Sequence, residues 1–565
     1  VHILAFIFNV QSERMRSFFL FATLFLFYIC SFGQIQQLSY GFTFDTTNAE
    51  LKVDLRLNGT DSGKTYIKLP SSFGNQKELY KAIQSIYIHN KHAAIHPTDD
   101  STVRLITHQP NSKLHLSYIL KQDWTGALQY PLNFRAIIQK QYINANGFAL
   151  LITPDMDSSR TVRVQLDWSK MPKSWQISNS LHAQTRKHRE QLTLNDFRNT
   201  FYTAGDFRIT KHMVAGKPIF IAVRGKNWKF TDLELARQIT TIIHKQRDFW
   251  KDHSESYYFV GLIPLESEGS YNGSALHQSF TLSVSPNFTL NTSLLRLLAH
   301  EYMHRWNGLK IYMRGHEQEN AWFGEGFTDY YTYKLLYTSG LIDLQEYIAT
   351  INKTISDYYL SPVRNEPKSL LGEKYWTTRE YNDLPYRKGA VYAFYVDQFI
   401  KQHSNGKHTL DDVMFALLKE ADAKRPITEA LFLQLVKQFS GQDINTDHTS
   451  MIDNGALIPV LPESLGDSVK LETRQMGAFD IGFNLQESWK NRKIEGVKEN
   501  SAAWNAGLRN GQTIVGYSIH HDNITIPSEI TIDVDGVKKT IKYSPMSSRK
   551  FDVPQFFIDN NKLSQ

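Results

Sequence analysis

The chain has 565 residues, 41% of them hydrophobic and 13% aromatic, which is enough for three or four domains with proper cores. Its formal charge is +7, but the charges are interspersed and no five basic residues run together, which argues against nucleic acid as a partner. The single cysteine is Cys30, so the chain beyond it has no disulfides and no cysteine ligand or nucleophile.

The first stretch reads as an address. Met15-Arg16-Ser17 is followed by an apolar run from Phe18 to Ile29, then by the small residues Ser31 and Gly33. A basic start, a short apolar centre and small residues before a cut make a secretory signal peptide over 1–33, with Met15 as initiator and cleavage after Gly33. The run is too short to span a bilayer, and no later stretch is long and apolar enough for a stable membrane span. Ile29 is large where a lipidation signal needs a small residue before Cys30, which argues against a lipoprotein. The expected location is therefore periplasmic or extracellular.

Residues 34–205 alternate apolar and polar in short runs, as in Leu51-Lys52-Val53-Asp54-Leu55 and Val162-Arg163-Val164-Gln165-Leu166, with turn signals such as Asn58-Gly59 between them. This pattern predicts an antiparallel β-sandwich-like domain. From 206 the pattern changes. Strands are expected at 217–225 and 279–284, with a helix from Leu233 to Trp250 between them.

His300-Glu301-Tyr302-Met303-His304 closes the apolar run Leu294 to Ala299, which has helical spacing and N-cap candidates at Asn291, Thr292 and Ser293. On a helix, His300 and His304 share a face and can bind one zinc ion, while Glu301 at the rim is placed to take a proton from water rather than to bind the metal. A third ligand is needed. Twenty-one residues after His304 comes Glu325, inside the apolar, aromatic segment Trp322 to Tyr331, where an unpaired carboxylate would be costly. His300, His304 and Glu325 complete a catalytic zinc set with one open position. Asp329, four residues past Glu325, lies on the same helix face and is placed to accept the other N–H of His300.

Together, His300 to Gly308 and Trp322 to Tyr331 resemble the glycyl aminopeptidase family of zinc peptidases (metallopeptidase family sixty-one). These are gluzincins with a thermolysin-like catalytic domain and a PDZ-like tail. The resemblance implies a multidomain α+β architecture: a β-sandwich-like N-terminal domain over 34–205 that helps wall the cleft, a thermolysin-like zinc peptidase catalytic domain over 206–455, a linker over 456–475 and a PDZ-like domain over 476–565. It makes Gly269 to Ser279 the edge strand and loop where substrate backbone would pair, with Gly273 and His277 as substrate-binding candidates. Tyr381-Asn382-Asp383-Leu384-Pro385-Tyr386-Arg387-Lys388-Gly389 resembles the Pro-Tyr-x-Lys-Gly signature of gluzincin aminopeptidases, ahead of a helix from Ala390 to Ile400. In that family the tyrosine hydroxyl donates to the oxyanion, which points to Tyr386 as catalytic. Tyr381 is a further substrate-binding candidate.

Two departures from the family matter. The family's edge segment carries a glutamate that holds the substrate's α-amine, and Leu276 stands at that position here. Either Glu266 or Glu268 takes over, or no amine is required. Aminopeptidase and endopeptidase therefore both stay open. In the tail, Phe479-Asp480-Ile481-Gly482-Phe483 would be the carboxylate-binding loop for a C-terminal peptide. Gln512, however, replaces the usual Asp, and 520–530 shows no helical pattern for the groove-lining helix. A PDZ-type binding protein with a relic metal site is the competing function. Intact His300, Glu301, His304, Glu325 and Tyr386 favour the peptidase.

Overall fold

The computed structural model describes residues 35–181, 185–465, 468–520, 523–524 and 526–559, so the expected signal peptide lies outside the described residues. The alternating N-terminal runs form strands, in three main sheets rather than two. The largest has six strands in the order 187–193, 161–170, 36–45, 50–58, 113–120, 83–88. Its apolar residues, including Leu38, Leu55, Leu116 and Val164, point into one core. One pair departs from the antiparallel expectation: Gln36–Asp45 runs parallel to Thr161–Lys170. Alternation fixes which face of a strand is buried but carries no information about the direction of its neighbour.

The sheet behind the site has five strands, in the order Arg208–Val214, Lys217–Val223, Tyr258–Pro264, Ser279–Val284, Tyr271–Leu276. Lys217–Val223 and Tyr258–Pro264 are parallel and are joined through the helix Asp232–Trp250, which starts with a Thr231–Glu234 capping box. Tyr271–Leu276 is antiparallel to its neighbour and lies at the edge. A second core, with Tyr142 and Phe201 on one side and Phe207, Phe259 and Leu276 on the other, joins this sheet to the N-terminal sheets.

Helices fill the next part: Thr292–Met303, Thr328–Thr338, Leu344–Tyr359 and Arg379–His403, followed by Leu410–Asp422 and Glu429–Ser440. The fourth starts eleven residues before the expected Ala390 and runs through Pro385. Pro385 sits near the N-terminal end of this helix, where its missing N–H costs one bond, to the carbonyl of Tyr381. Among the described residues no helix is long and apolar enough to cross a membrane.

The stretch expected as linker, 456–475, is largely built into the fold. Ile458 is buried, its N–H bonds to the Tyr358 hydroxyl at 3.1 Å and its carbonyl accepts from Tyr359 at 2.7 Å. Val469–Phe479 is a strand paired with Met546–Ile558, and this ribbon lies on the helix Leu344–Tyr359 through Asn352, which bonds Phe556 in both directions at 2.7 and 2.8 Å. Turn-forming residues mark the stretch as irregular, but Ile458 and Val469 bury it. Strands 513–518, 528–534 and 537–543 form a small sheet with its own core, including Phe483, Ile494, Leu508 and Ile530. The loop expected to bind a peptide carboxylate runs directly into a helix, Leu485–Asn491. Peptide binding by strand addition needs a free strand beside that loop. Among the described residues of 480–500 there is none.

Candidate active site

The helix Thr292–Met303 forms because Asn291 caps it, accepting from Leu294 N at 3.1 Å, and because Leu294, Leu298, Tyr302 and Met303 are buried. His300 and Glu301 lie in its last turn and are 8% and 6% exposed. The chain then turns back through Asn307 to a π-helical turn, Trp322–Phe327, which carries Glu325. Such turns favour functional positions because they re-aim one side chain within a helix. Asn307 ties the two elements together: its Nδ2 donates to the Phe323 carbonyl at 2.9 Å and to Thr328 Oγ1 at 3.0 Å. The helix Arg379–His403 packs backbone to backbone on the same turn. Gly326 meets Gly389 there, and a Cβ on either would collide with the other chain segment.

Three ligand atoms converge. His300 Nε2 lies 3.0 Å from His304 Nε2 and 3.2 Å from Glu325 Oε2, and His304 Nε2 lies 3.3 Å from the same oxygen. His300 Nδ1 is 2.9 Å from Asp329 Oδ1, and His304 Nδ1 is 3.0 Å from the Asn307 carbonyl. A carboxylate and a carbonyl only accept, so both Nδ1 atoms donate, and in the neutral rings both Nε2 atoms are lone pairs. Two lone pairs and a carboxylate facing one point repel unless a cation lies among them. The same demand for positive charge shows in the titration of His300: burial opposes its charge, but the bonds and charges of Asp329 and Glu325 outweigh it and push its pKa up to about 10, so that a proton and a metal ion compete for Nε2. Tetrahedral ligands about 2.0–2.1 Å from a zinc ion lie about 3.3 Å apart, so the donor set and its spacing fit a metal of that size. Asp329, 2% exposed, is held low against the cost of burial by the Arg296 charge and the His300 bond, with Arg387 at 3.5 Å from its other oxygen.

The triad sits on the floor of a cleft of about 420 Å³, bordered by the edge strand, by Tyr130 and Phe134 of the N-terminal part, and by Tyr375 and Trp376. Gly273 lies so close to the Glu301 carboxylate that any Cβ there would displace it. Burial raises the pKa of Glu301, against the charges of His300 and His304. Tyr386 lines the cleft and stacks on His300, with ring centroids 6.0 Å apart at 24°. Burial, then the Glu325 charge, keeps its hydroxyl protonated far above the ordinary tyrosine range.

Two expected substrate-binding residues fall elsewhere. His277 is outside the cleft lining and faces the N-terminal part, with Nδ1 3.6 Å from Asp196 Oδ1. It follows the last residue of the edge strand, where the chain has begun to turn. Tyr381 also lies outside the lining, 3.5 Å from Lys374 Nζ. Five residues along a helix is a rotation of about 140° relative to Tyr386, so the two cannot share a face. Of the proposed amine partners, Glu266 accepts from Leu128 N at 3.3 Å, and neither it nor Glu268 lines the cleft. Leu276 is 3% exposed and belongs to the core between the two halves.

Sequence reasoning missed Asn307, Glu317 and Tyr375. A backbone carbonyl used as a histidine's partner has no residue signature. Glu317 and Tyr375 come from irregular connections whose path only the fold defines.

Residues 293–371 match the sequence model of the M61 glycyl aminopeptidase family. The chain is a peptidase whose site-bearing segment is similar to the M61 family. The match covers both histidines, Glu301, Glu325 and Asp329, which bears out the resemblance seen in the sequence. No curated protein matches the chain. Among solved structures, the chain resembles an aminopeptidase N family protein from Idiomarina loihiensis, with a TM-score of 0.71 and 16% identity over 93% of this chain and 98% of that one. At that identity the likeness is one of fold, and it extends well beyond the M61 segment over nearly the whole length.

Proposed function

We propose that the chain is a zinc-dependent peptidase in which His300, His304 and Glu325 hold the metal, Glu301 is the general base and Tyr386 steadies the oxyanion. The observation that carries this reading is the meeting of two imidazole lone pairs and a carboxylate at one point on the cleft floor. A zinc ion held there supplies Lewis acidity to a substrate carbonyl and to water. The edge strand Tyr271–Leu276 offers its free side to the backbone of an extended peptide. Glu301, buried and raised in pKa, receives the proton of the attacking water and passes it to the leaving amine. Tyr386 donates its hydroxyl hydrogen to the oxyanion. Asp329 and Asn307 fix the tautomer and the aim of the two imidazoles.

Replacing Tyr386 by Phe removes one oxyanion donor and leaves the stacking on His300. The expected loss in kcat is about 10²–10³, with KM little changed. Steady-state kinetics check this, and a change confined to KM would contradict the role.

No Lys or Arg lines the cleft among the described residues, so nothing there would receive the C-terminal carboxylate of a substrate. Three carboxylates do line it: Glu301, Glu325 and Glu317. With the first two engaged in catalysis and metal binding, Glu317 at the exposed rim is left to meet a substrate ammonium. That supports removal of N-terminal residues, with cleavage inside a chain as the alternative reading because Leu276 stands where the family has its amine-binding glutamate. One peptide offered with a free and with an acetylated N-terminus decides between them. The aminopeptidase reading expects acetylation to abolish cleavage and Glu317→Gln to weaken kcat/KM for the free peptide by about tenfold or more. Equal cleavage of both forms makes the enzyme an endopeptidase.

A further inference from the structure

Far from the metal cleft in sequence, the outward face of the six-stranded sheet carries a second concavity of about 380 Å³. The register places its residues. Arg189 pairs with Gln165, Gln165 with Ser39, Ser39 with Arg56 and Arg56 with His115, one row across five strands. Arg163 and Lys113 stand two residues along, on the same face. The alternate residues Leu38, Leu57, Leu114 and Val164 point the other way into the core. The uncharged Ser39 and Gln37 lie in the middle, and the long cations Arg56, Arg163, Arg189 and Lys113 stand round them. All four are exposed. Among the described residues none of the four has a carboxylate within 4.0 Å, and no Asp or Glu lines the concavity. The nearest carboxylates, Asp54 and Asp167, lie one row further along the same face, Asp167 paired with Lys187 at 3.3 Å and Asp54 hydrogen-bonded at 3.3 Å by the His115 imidazole, whose charge burial disfavours.

Four like charges round a polar floor repel one another, and a polyanion relieves that repulsion. Five strands span about 19 Å, the length of about six extended residues. The lining has no Phe, Tyr or Trp among the described residues, and its one imidazole, His115, is already stacked on His89 and bonded to Asp54, so it offers little for nucleobases or sugar rings to stack on. Arginine forks match carboxylates, and the amides and hydroxyl of the floor match peptide groups.

We propose that this face is a binding site for a carboxylate-rich peptide segment, separate from the cleft, that gathers acidic stretches of peptide or protein partners. The inference concerns binding and does not depend on the metal chemistry.

The test is fluorescence anisotropy of a labelled peptide of about eight glutamates, long enough to cross the five strands. The full chain is used with Glu301→Gln so that the probe survives. Binding should weaken steeply as salt is raised, and the matching glutamine peptide should not bind. The triple variant R56Q/R163Q/R189Q should bind about tenfold more weakly or worse. Ser39→Glu, a single change on the floor, should abolish binding even if the triple variant misfolds. Unchanged affinity in Ser39→Glu or in a folded triple variant overturns the proposal. Tighter binding of a single-stranded oligonucleotide of equal charge, lost with the same substitutions, overturns it in favour of a nucleic-acid surface.

Discussion

Glu301→Gln is expected to keep about one metal ion per chain and to lower kcat by roughly 10²–10⁴. Glutamine keeps the size and one acceptor oxygen, so the close contact with Gly273 survives. What it loses is the ability to accept a proton. The three ligand atoms lie on His300, His304 and Glu325, so the triad is untouched. Metal analysis and steady-state kinetics on the same preparation make the check. Activity within a few-fold of the parent would show that Glu301 is not the base, and loss of metal would show that it contributes to ligation.

Much of this arrangement was legible in the sequence because it follows from local spacing. Two histidines four apart on a capped apolar helix must share a face. A glutamate in an aromatic, apolar segment must find a partner, and Asp329 one turn further must lie beside it. These are constraints over a few residues. The rest depends on where distant segments meet. Nothing local says that the Asn307 carbonyl holds His304, that Gly389 is required because it touches Gly326, or that Arg387 and Arg296 stand by Asp329. His277 and Tyr381 were misplaced for a related reason: closeness in sequence to a functional residue was read as closeness in space, whereas a strand end and a helix rotation carry each of them away. In the fold, alternation placed the N-terminal strands but left their partners open. The helix expected from Ala390 starts already at Arg379, because the signature segment before it is itself helical. The linker expectation weighed turn-forming residues above the few apolar ones that anchor the chain.

His304→Ala is expected to abolish stable metal binding, and activity with it. Removing this imidazole leaves His300 and Glu325, two ligands where structural and catalytic zinc sites use three or four. The Asn307 carbonyl, which aims His304 in the parent, loses that partner, while Asn307 Nδ2 still holds the π-helical turn that carries Glu325. The remaining ligands therefore stay where they are, and the loss reports coordination rather than collapse. Asp329→Asn makes the contrast. It leaves all three ligand atoms in place and weakens only the orientation of His300, so metal affinity should fall by about 10–100-fold with occupancy recoverable by added zinc. Metal analysis after dialysis, read beside circular dichroism, separates the two. If His304→Ala is folded and carries a full ion, His304 is not a ligand and the triad is wrongly composed. If added zinc restores Asp329→Asn but not His304→Ala, the division of roles between the two residues stands.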